Sequence, residues 1–289
     1  MKIKILIPVY NDWQSVFKLL ENINSEISGL EHEFSAIIVN DASTESRPEI
    51  NLNLNNLNSI KIINMKENRG HARCNAAGLK HIFENEEFDY VIPMDGDGED
   101  RPEEIKQLID NLNYHPDKPI VGERIKRSES IFFKFCYFAH KIITSTFTGQ
   151  SIKYGNYTCL PKSIVEKMIN EKATWSSFSG ALAKITKDRA IIPSERGTRY
   201  FGPSKMSFKN LIIHSLSIIS VFRTNVLIRS ILFLLVYIFL IHQNITAIML
   251  IPVILVLILI ASVFVVSKRE NLEELNKSLL NISNIDNLK

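Results

Sequence analysis

The sequence predicts an α/β fold in which helices cover both faces of a mostly parallel β-sheet. Between residues 3 and 121, short apolar runs alternate with stretches of helical periodicity. This alternation is typical of βαβ units, whose strands lie parallel. Two long apolar stretches follow near the other end of the chain. The sequence therefore predicts one α/β domain that is followed by a helical hairpin.

Five apolar runs predict strands in the first half of the chain, and three helical patterns lie between them. The predicted strands cover residues 3–9, 34–40, 60–65, 90–94 and 120–123, and the predicted helices cover residues 14–28, 70–84 and 102–113. Pro102 suits a first helical turn, where no N–H donor is needed. Residues 51–58 have low complexity and predict a loop, whereas residues 155–168 indicate a further strand, a turn and a helix.

The two apolar stretches, at about residues 226–242 and 245–267, predict a transmembrane hairpin. The second stretch carries no charge, and the first contains only Arg229, whose long side chain can reach the headgroups. Lys and Arg flank the hairpin but are missing from its turn, so the positive-inside rule predicts that both termini and the α/β domain are cytoplasmic. A hairpin that lies in the membrane interface is the alternative.

These patterns divide the chain into four regions. Residues 1–206 form the predicted α/β domain, residues 207–224 an amphipathic interfacial helix, residues 225–267 the hairpin, and residues 268–289 a cytoplasmic tail. The helix at 207–224 also fits a core helix, but its position before two spans favours the interface. The sequence leaves homo-oligomerisation open.

Composition excludes several classes of protein. The net charge of +3 comes from 34 basic and 31 acidic residues, which is too balanced for general nucleic-acid binding. The three cysteines are widely spaced and contain no CxxC pair, so the sequence predicts neither a disulfide framework nor a zinc site. The GxGxxG and GxxxxGK[ST] patterns are absent, which argues against an NAD enzyme and a P-loop NTPase.

Acidic residues cluster directly after the fourth predicted strand, at Asp95, Asp97, Glu99 and Asp100. Ligands of open α/β sheets bind at the carboxyl ends of strands. Carboxylates this close together repel one another, so Mg²⁺ or Mn²⁺ that bridges them to a diphosphate would explain the cluster. A solvated acidic turn is the alternative.

Asp12 and Asp41 follow the first and second predicted strands and are expected at the same rim as Asp95. Together they suit ribose hydroxyls and base edges of a nucleotide, by the logic that places an acid on the ribose in dinucleotide folds. Each alone also fits a turn or helix N-cap.

Four segments, IPVYND, IIVNDAST, ENRGHARCNAAG and MDGDGEDRPEEI, resemble in their order and spacing the family-2 glycosyltransferases of GT-A fold. The resemblance extends over about residues 2–222, and the following spans resemble polyprenyl-phosphate sugar synthases of the dolichyl-phosphate mannose synthase kind. It implies that Asp95 and Asp97 hold the metal and the diphosphate, with Glu99 as a third metal ligand. It also implies a set of contacts to the nucleotide sugar, made by Pro8, Tyr10, Asp12, Asp41, Arg69, Gly70 and Asp95.

A second segment, residues 195–206, resembles the R-x-x-R-x-x-G-x-S-K segment that precedes the membrane part of such enzymes. The resemblance implies that Arg196, Arg199 and Lys205 close over the diphosphate, where cations stabilise the leaving group. A basic patch on anionic lipid is the alternative. Residues 152–157 depart from the usual acid and G-F-R pattern, which leaves the acceptor open.

The expected reaction is inverting transfer of a hexose from a nucleotide-diphosphate donor to polyprenyl phosphate. Transfer to a hydroxyl of a lipid-linked or cell-surface glycan is the first alternative. That reaction needs a general base, for which Asp100 or Glu99 is available, whereas an ionised phosphate needs none. A catalytically silent membrane binding module and a nucleotidyltransferase are further alternatives.

Overall fold

The computed structural model describes residues 1–49, 53–126, 138, 141–203 and 207–289. Eight strands form one sheet in the order β7-β5-β6-β4-β1-β2-β3-β8. Only β6 and β8 run antiparallel to their neighbours in this sheet, so the predicted mostly parallel sheet is confirmed. The strands are β1 (Lys2–Val9), β2 (Glu33–Asn40), β3 (Leu57–Met65), β4 (Tyr90–Pro93), β5 (Ile120–Lys126), β6 (Thr158–Pro161), β7 (Ala190–Glu195) and β8 (Ile282–Asn287).

Helices cover both faces of the sheet. Side chains of β1 alternate between two cores: Ile3, Ile5 and Ile7 belong to one, and Leu6 belongs to the other. The first core includes α1 (Trp13–Glu26) and α3 (Ile105–Leu112), and α3 follows a short 3₁₀ turn at Pro102–Glu104. The second core includes α2 (His71–Asn85), α4 (Lys162–Ile169) and α5 (Phe178–Ile185).

Helix α2 packs very closely on strand β1. A Cβ atom added at Gly78 would lie 2.4 Å from Leu6 Cδ1, so any larger residue would force the Leu6 side chain to move. Glycine inside a helix costs about 1 kcal/mol relative to alanine. The close packing of α2 on the sheet offsets that cost, and it fixes where the amino end of α2 meets the rim of the sheet.

Three helices follow the α/β domain: α6 (Phe208–Ser220), α7 (Arg223–Ile241) and α8 (Ile251–Ser267). The Ser207 hydroxyl accepts a hydrogen bond from Asn210 N at 3.2 Å and caps α6. Two helical segments, Arg223–Ile241 and Ile248–Asn276, are long and apolar enough to span a membrane, and most of the apolar stretch in each is exposed. Large side chains such as Leu235 and Phe239 are 62% and 73% exposed. Contiguous apolar surface of this kind is typical of membrane contact.

The chain returns from the hairpin to the sheet. Residues 270–287, which we call the return segment, contain α9 (Leu272–Asn276) and β8, and β8 pairs antiparallel with β3. The sequence pattern predicted only a tail here, because ISNIDN lacks a run of apolar residues. Its strand forms through pairing with β3, and both ends of the hairpin therefore lie at the same domain.

Candidate active site

Residues 95–100, which we call the acidic loop, follow β4 and are held together by Asp100. This carboxylate is 4% exposed and accepts a hydrogen bond from Asp95 N at 2.9 Å. The Arg124 guanidinium lies 3.7 Å from the second oxygen of Asp100. Burial, followed by the charge of Asp95, raises the pKa of Asp100 to about 8. Asp100 is thus buried beneath the acidic loop, where it holds the backbone of Asp95, and it is not exposed to solvent.

Asp95 is positioned by two side chains that the sequence motifs did not single out. His71 Nε2 lies 3.2 Å from Asp95 Oδ1, and Asn156 Nδ2 donates to the same oxygen at 3.3 Å. Burial opposes ionisation, but the charge and hydrogen bond of His71 outweigh it and lower the pKa of Asp95. For His71, burial is likewise outweighed by Asp95, and its pKa is raised. Asp95 is therefore an ionised carboxylate at the rim.

Asp97 lies under opposing influences. Burial and the neighbouring charge of Asp95 raise its pKa to about 6, although the Glu99 N–H donates to its Oδ1 at 3.0 Å. A carboxylate that is destabilised by a like charge is stabilised when a cation approaches. The loop therefore concentrates negative charge where a cation would be bound most favourably.

Residues 195–203, which we call the basic segment, contact this acidic loop. Arg199 donates to Asp97 Oδ2 at 2.6 Å and also to Asp12, while Arg196 donates to Glu99. The two backbones are joined as well, because Gly197 N donates to Glu99 O at 2.9 Å and Tyr200 N donates to Asp97 O at 3.0 Å. The structure thus brings the predicted acids and two of the predicted arginines together, whereas Lys205 lies outside the described residues.

The residues predicted to bind the nucleotide lie at the same rim of the sheet, but they differ in exposure and in hydrogen bonding. Asp41, which is 4% exposed, accepts hydrogen bonds from Arg69 N at 2.9 Å and Gly70 N at 2.8 Å, and it therefore holds the turn before α2. Burial raises the pKa of Asp41. Pro8 is buried, whereas Tyr10 is 43% exposed and presents a ring at the rim. Tyr10 is thus the exposed member of this set, whereas Asp12 is paired with Arg199 and accepts a hydrogen bond from the Ser15 hydroxyl at 2.6 Å. Asp41 holds the turn.

The carboxylates of Asp95 and Asp97 fit Mg²⁺ or Mn²⁺ because both cations prefer oxygen ligands. Within the described part of the chain, no three Asp, Glu, His or Cys side chains form a metal-binding group by themselves. Mg²⁺ is commonly held by one or two carboxylates together with substrate phosphates and water. Asp95 and Asp97 therefore suit a cation that arrives with a diphosphate.

Gly98 makes the contact between the acidic loop and the basic segment possible. Its φ is +89°, and an added Cβ would lie 2.5 Å from the Tyr200 ring. We expect Gly98→Ala to lower the free energy of unfolding by about 2 kcal/mol, since it combines a strained backbone with a steric clash. Thermal unfolding followed by tryptophan fluorescence checks this expectation. Gly155→Ala is the control, because its Cβ would make an ordinary 3.4 Å contact with Arg124; equal midpoints for the two variants would contradict the expectation.

Comparison with known proteins identifies the family of this chain. The family model described as "Glycosyl transferase family 2" matches residues 4–164. A TarS fragment from S. aureus, crystallised with UDP-GlcNAc, is 15% identical with a TM-score of 0.50, and the match covers 80% of this chain and 70% of that one. The match covers 42% of the longer TarS chain.

Two further solved structures share the fold. Glucosyl-3-phosphoglycerate synthase from Mycobacterium tuberculosis, crystallised with Mn²⁺, UDP-glucose and phosphoglyceric acid, is 11% identical with a TM-score of 0.56, over 78% of this chain and 79% of that one. Mannosyl-3-phosphoglycerate synthase from Rubrobacter xylanophilus is 9% identical with a TM-score of 0.54, over 76% and 72%. At these identities the likeness establishes the GT-A fold.

Proposed function

Because the chain belongs to glycosyl transferase family 2, we propose that it transfers a hexose from a nucleotide-diphosphate sugar to polyprenyl phosphate at the cytoplasmic face of a membrane. The observation that carries the proposal is the pairing of the acidic loop with the basic segment, directly before α6 and the apolar hairpin. In the sequence, a segment suited to a charged diphosphate is thus followed by helices suited to lipid, and this order supports the proposal.

The donor is proposed to bind along the rim of the sheet. Tyr10 offers an exposed ring for stacking. Asp12 would accept hydrogen bonds from ribose hydroxyls once its ion pair with Arg199 opens. Asp95 and Asp97 would hold Mg²⁺ or Mn²⁺, which neutralises the diphosphate when bound. Glu99, the third ligand implied by the resemblance, is paired with Arg196, so it is available as a ligand only when that ion pair opens.

In the proposed reaction, an oxygen of the acceptor phosphate attacks the anomeric carbon of the sugar. The bond from that carbon to the diphosphate oxygen breaks, and the electron pair leaves with the nucleoside diphosphate. A single displacement inverts the anomeric configuration. Arg196 and Arg199, which contact the acidic loop, would stabilise the charge that develops on the leaving group.

The state of Asp100 favours a phosphate acceptor over a hydroxyl acceptor. A hydroxyl needs a general base within hydrogen-bond reach, but Asp100 is buried and its oxygens are engaged by Asp95 N and approached by Arg124. A phosphate acceptor is already ionised and needs no base. Glu99, the other candidate base, is paired with Arg196. Transfer to a hydroxyl is therefore the alternative that the following assay tests.

Nucleotide release by the full-length protein in detergent tests the reaction. The assay contains UDP-, GDP- and other nucleotide sugars, Mg²⁺ or Mn²⁺, and polyprenyl phosphate in one of two arms. Release that needs both metal and lipid supports the proposal. Release that needs metal but is the same with and without polyprenyl phosphate favours a glycan acceptor. Nucleotide binding without any turnover supports the catalytically silent binding module. A second assay supplies a nucleoside triphosphate and a sugar phosphate in place of the nucleotide sugar, and release of free diphosphate there would indicate a nucleotidyltransferase.

The proposed topology makes a separate prediction. Single cysteines at Asn244 and Lys277, in a variant without the natural cysteines, are expected to label on opposite sides of the membrane. Asn244→Cys should react with an impermeant maleimide in intact cells, whereas Lys277→Cys should react only in inverted vesicles, because the hairpin turn lies across the bilayer. Labelling of both positions from one side would contradict a spanning hairpin and favour an interfacial one.

A further inference from the structure

The return segment holds the turn that leads into α2. This turn contains Arg69 and Gly70, the residues that Asp41 fixes from the other side. Lys66 N donates to Asn281 O at 2.7 Å, and Asn281 Nδ2 donates to Glu67 O at 3.0 Å. The backbone between β3 and α2 is therefore held by hydrogen bonds on two sides: by Asp41, which follows β2, and by the return segment, which follows the hairpin.

Glu274 of α9 joins the return segment to the first turn of α2. Its carboxylate accepts a hydrogen bond from Trp175 Nε1 at 2.6 Å and lies 3.9 Å from Arg73 Nη2. The Arg73 guanidinium also lies over the Trp175 ring, 5.4 Å from its centroid. Trp175 is 1% exposed and packs with Leu275, so the carboxylate and the ring form a fixed cradle for Arg73.

The same short segment is anchored to the base of the hairpin. Glu270, whose side chain is 2% exposed, lies 3.3 Å from Arg223 Nη1 and 3.8 Å from Lys172 Nζ. Arg223 is the first residue of α7, and Glu270 follows α8. Only four positions separate Glu270 from Glu274, so the base of the hairpin and the turn before α2 are linked through α9.

These contacts form the wall of a wide, open cavity of about 570 Å³ beside the nucleotide rim. Five of its lining residues belong to the turn and the start of α2, and the sixth comes from the return segment: Glu67, Asn68, Arg69, Gly70, Arg73 and Glu274. Its volume lies in the range of small-molecule sites. Arginine donors and a carboxylate acceptor together suit a nucleoside, which carries both carbonyl oxygens and N–H or O–H groups.

We infer that Glu274 is a positioning residue for the donor: through Arg73 and Trp175 it fixes the wall of a cavity that receives the nucleoside of the nucleotide sugar. The inference rests on the proposed function, since it names residues of the same donor site. It makes the donor site dependent on a segment that lies beyond the hairpin. Glu274 acts on donor binding and leaves the sugar-transfer step to the acidic loop.

Binding of nucleoside diphosphates to the full-length protein in detergent tests the inference. UDP and GDP are titrated by calorimetry in the presence of Mg²⁺, against wild type, Glu274→Gln and Glu273→Gln. Glu274→Gln removes one charge from a side chain that is 45% exposed, and Glu273→Gln removes a neighbouring charge whose side chain is 76% exposed. We expect about a tenfold rise in Kd for Glu274→Gln and no change for Glu273→Gln, because only Glu274 contacts Arg73.

Two further readouts separate positioning from general destabilisation. The donor KM of Glu274→Gln should rise by a similar factor while kcat stays at the wild-type value, and adding Glu274→Gln to Arg73→Met should raise Kd no further. Unchanged binding by Glu274→Gln, with wild type binding normally, would overturn this inference alone. A wild-type protein that binds no nucleoside diphosphate would overturn the proposed function.

Discussion

Asp97→Asn is expected to lower kcat/KM for the donor by at least about 1,000-fold. Asparagine keeps the size of the side chain but removes the charge that would hold the cation and, through it, the diphosphate. The cluster of Asp95, Asp97 and Glu99 then retains too little charge to bind the metal beside a diphosphate. The measurement is nucleoside diphosphate release at several metal concentrations, and high metal should restore only part of the activity.

The folded state should tolerate this change. Burial and Asp95 raise the pKa of Asp97, so its ionised form is destabilised in the absence of a cation. An uncharged amide relieves that repulsion, and its single oxygen keeps one of the two hydrogen bonds that Asp97 accepts, from the Glu99 N–H or from Arg199. The relieved repulsion offsets the lost bond, so the unfolding midpoint should stay within a few degrees of wild type. Asp110→Asn is the matched control, because Asp110 lies on the exposed face of α3. Full activity of Asp97→Asn would contradict the assignment of Asp97 to the diphosphate site.

The rim of the sheet could be predicted from the sequence because it follows from the direction of the strands. β1, β2 and β4 are neighbours and parallel, so the residues after them must meet at one edge. Asp12, Asp41 and Asp95 each follow one of these strands, and the structure places all three at that edge. The membership in family 2 and the GT-A fold, which the motifs predicted, are confirmed.

The detailed partners could not be predicted, because they depend on contacts between distant parts of the chain. His71 directly follows the turn at Gly70, and that position was a signal for a residue at the rim. Asn156 gave no such signal, since its contact with Asp95 spans 61 positions. The return segment was missed for a related reason: β8 is polar and needs β3 beside it to form a strand.

Arg199→Met is expected to lower kcat by about 100-fold or more. Arg199 joins Asp97 and Asp12, and its side chain is 14% exposed. Once a diphosphate lies between them, the same guanidinium can stabilise the charge on the leaving group, and a single preorganised donor of this kind is worth about 100- to 1,000-fold. Steady-state kinetics at saturating donor, metal and acceptor measures the effect.

The metal dependence of Arg199→Met separates two roles of this arginine. Removing Arg199 frees the Asp97 carboxylate, so the concentration of Mg²⁺ or Mn²⁺ at half-maximal activity should fall or stay unchanged while kcat falls. Arg199→Lys should recover part of kcat, because it keeps the charge but loses the two-pronged geometry. Lys187→Gln, at an exposed lysine, is the control. A rise in kcat for Arg199→Met would mean that Arg199 only blocks the acidic loop and takes no part in stabilising the leaving group.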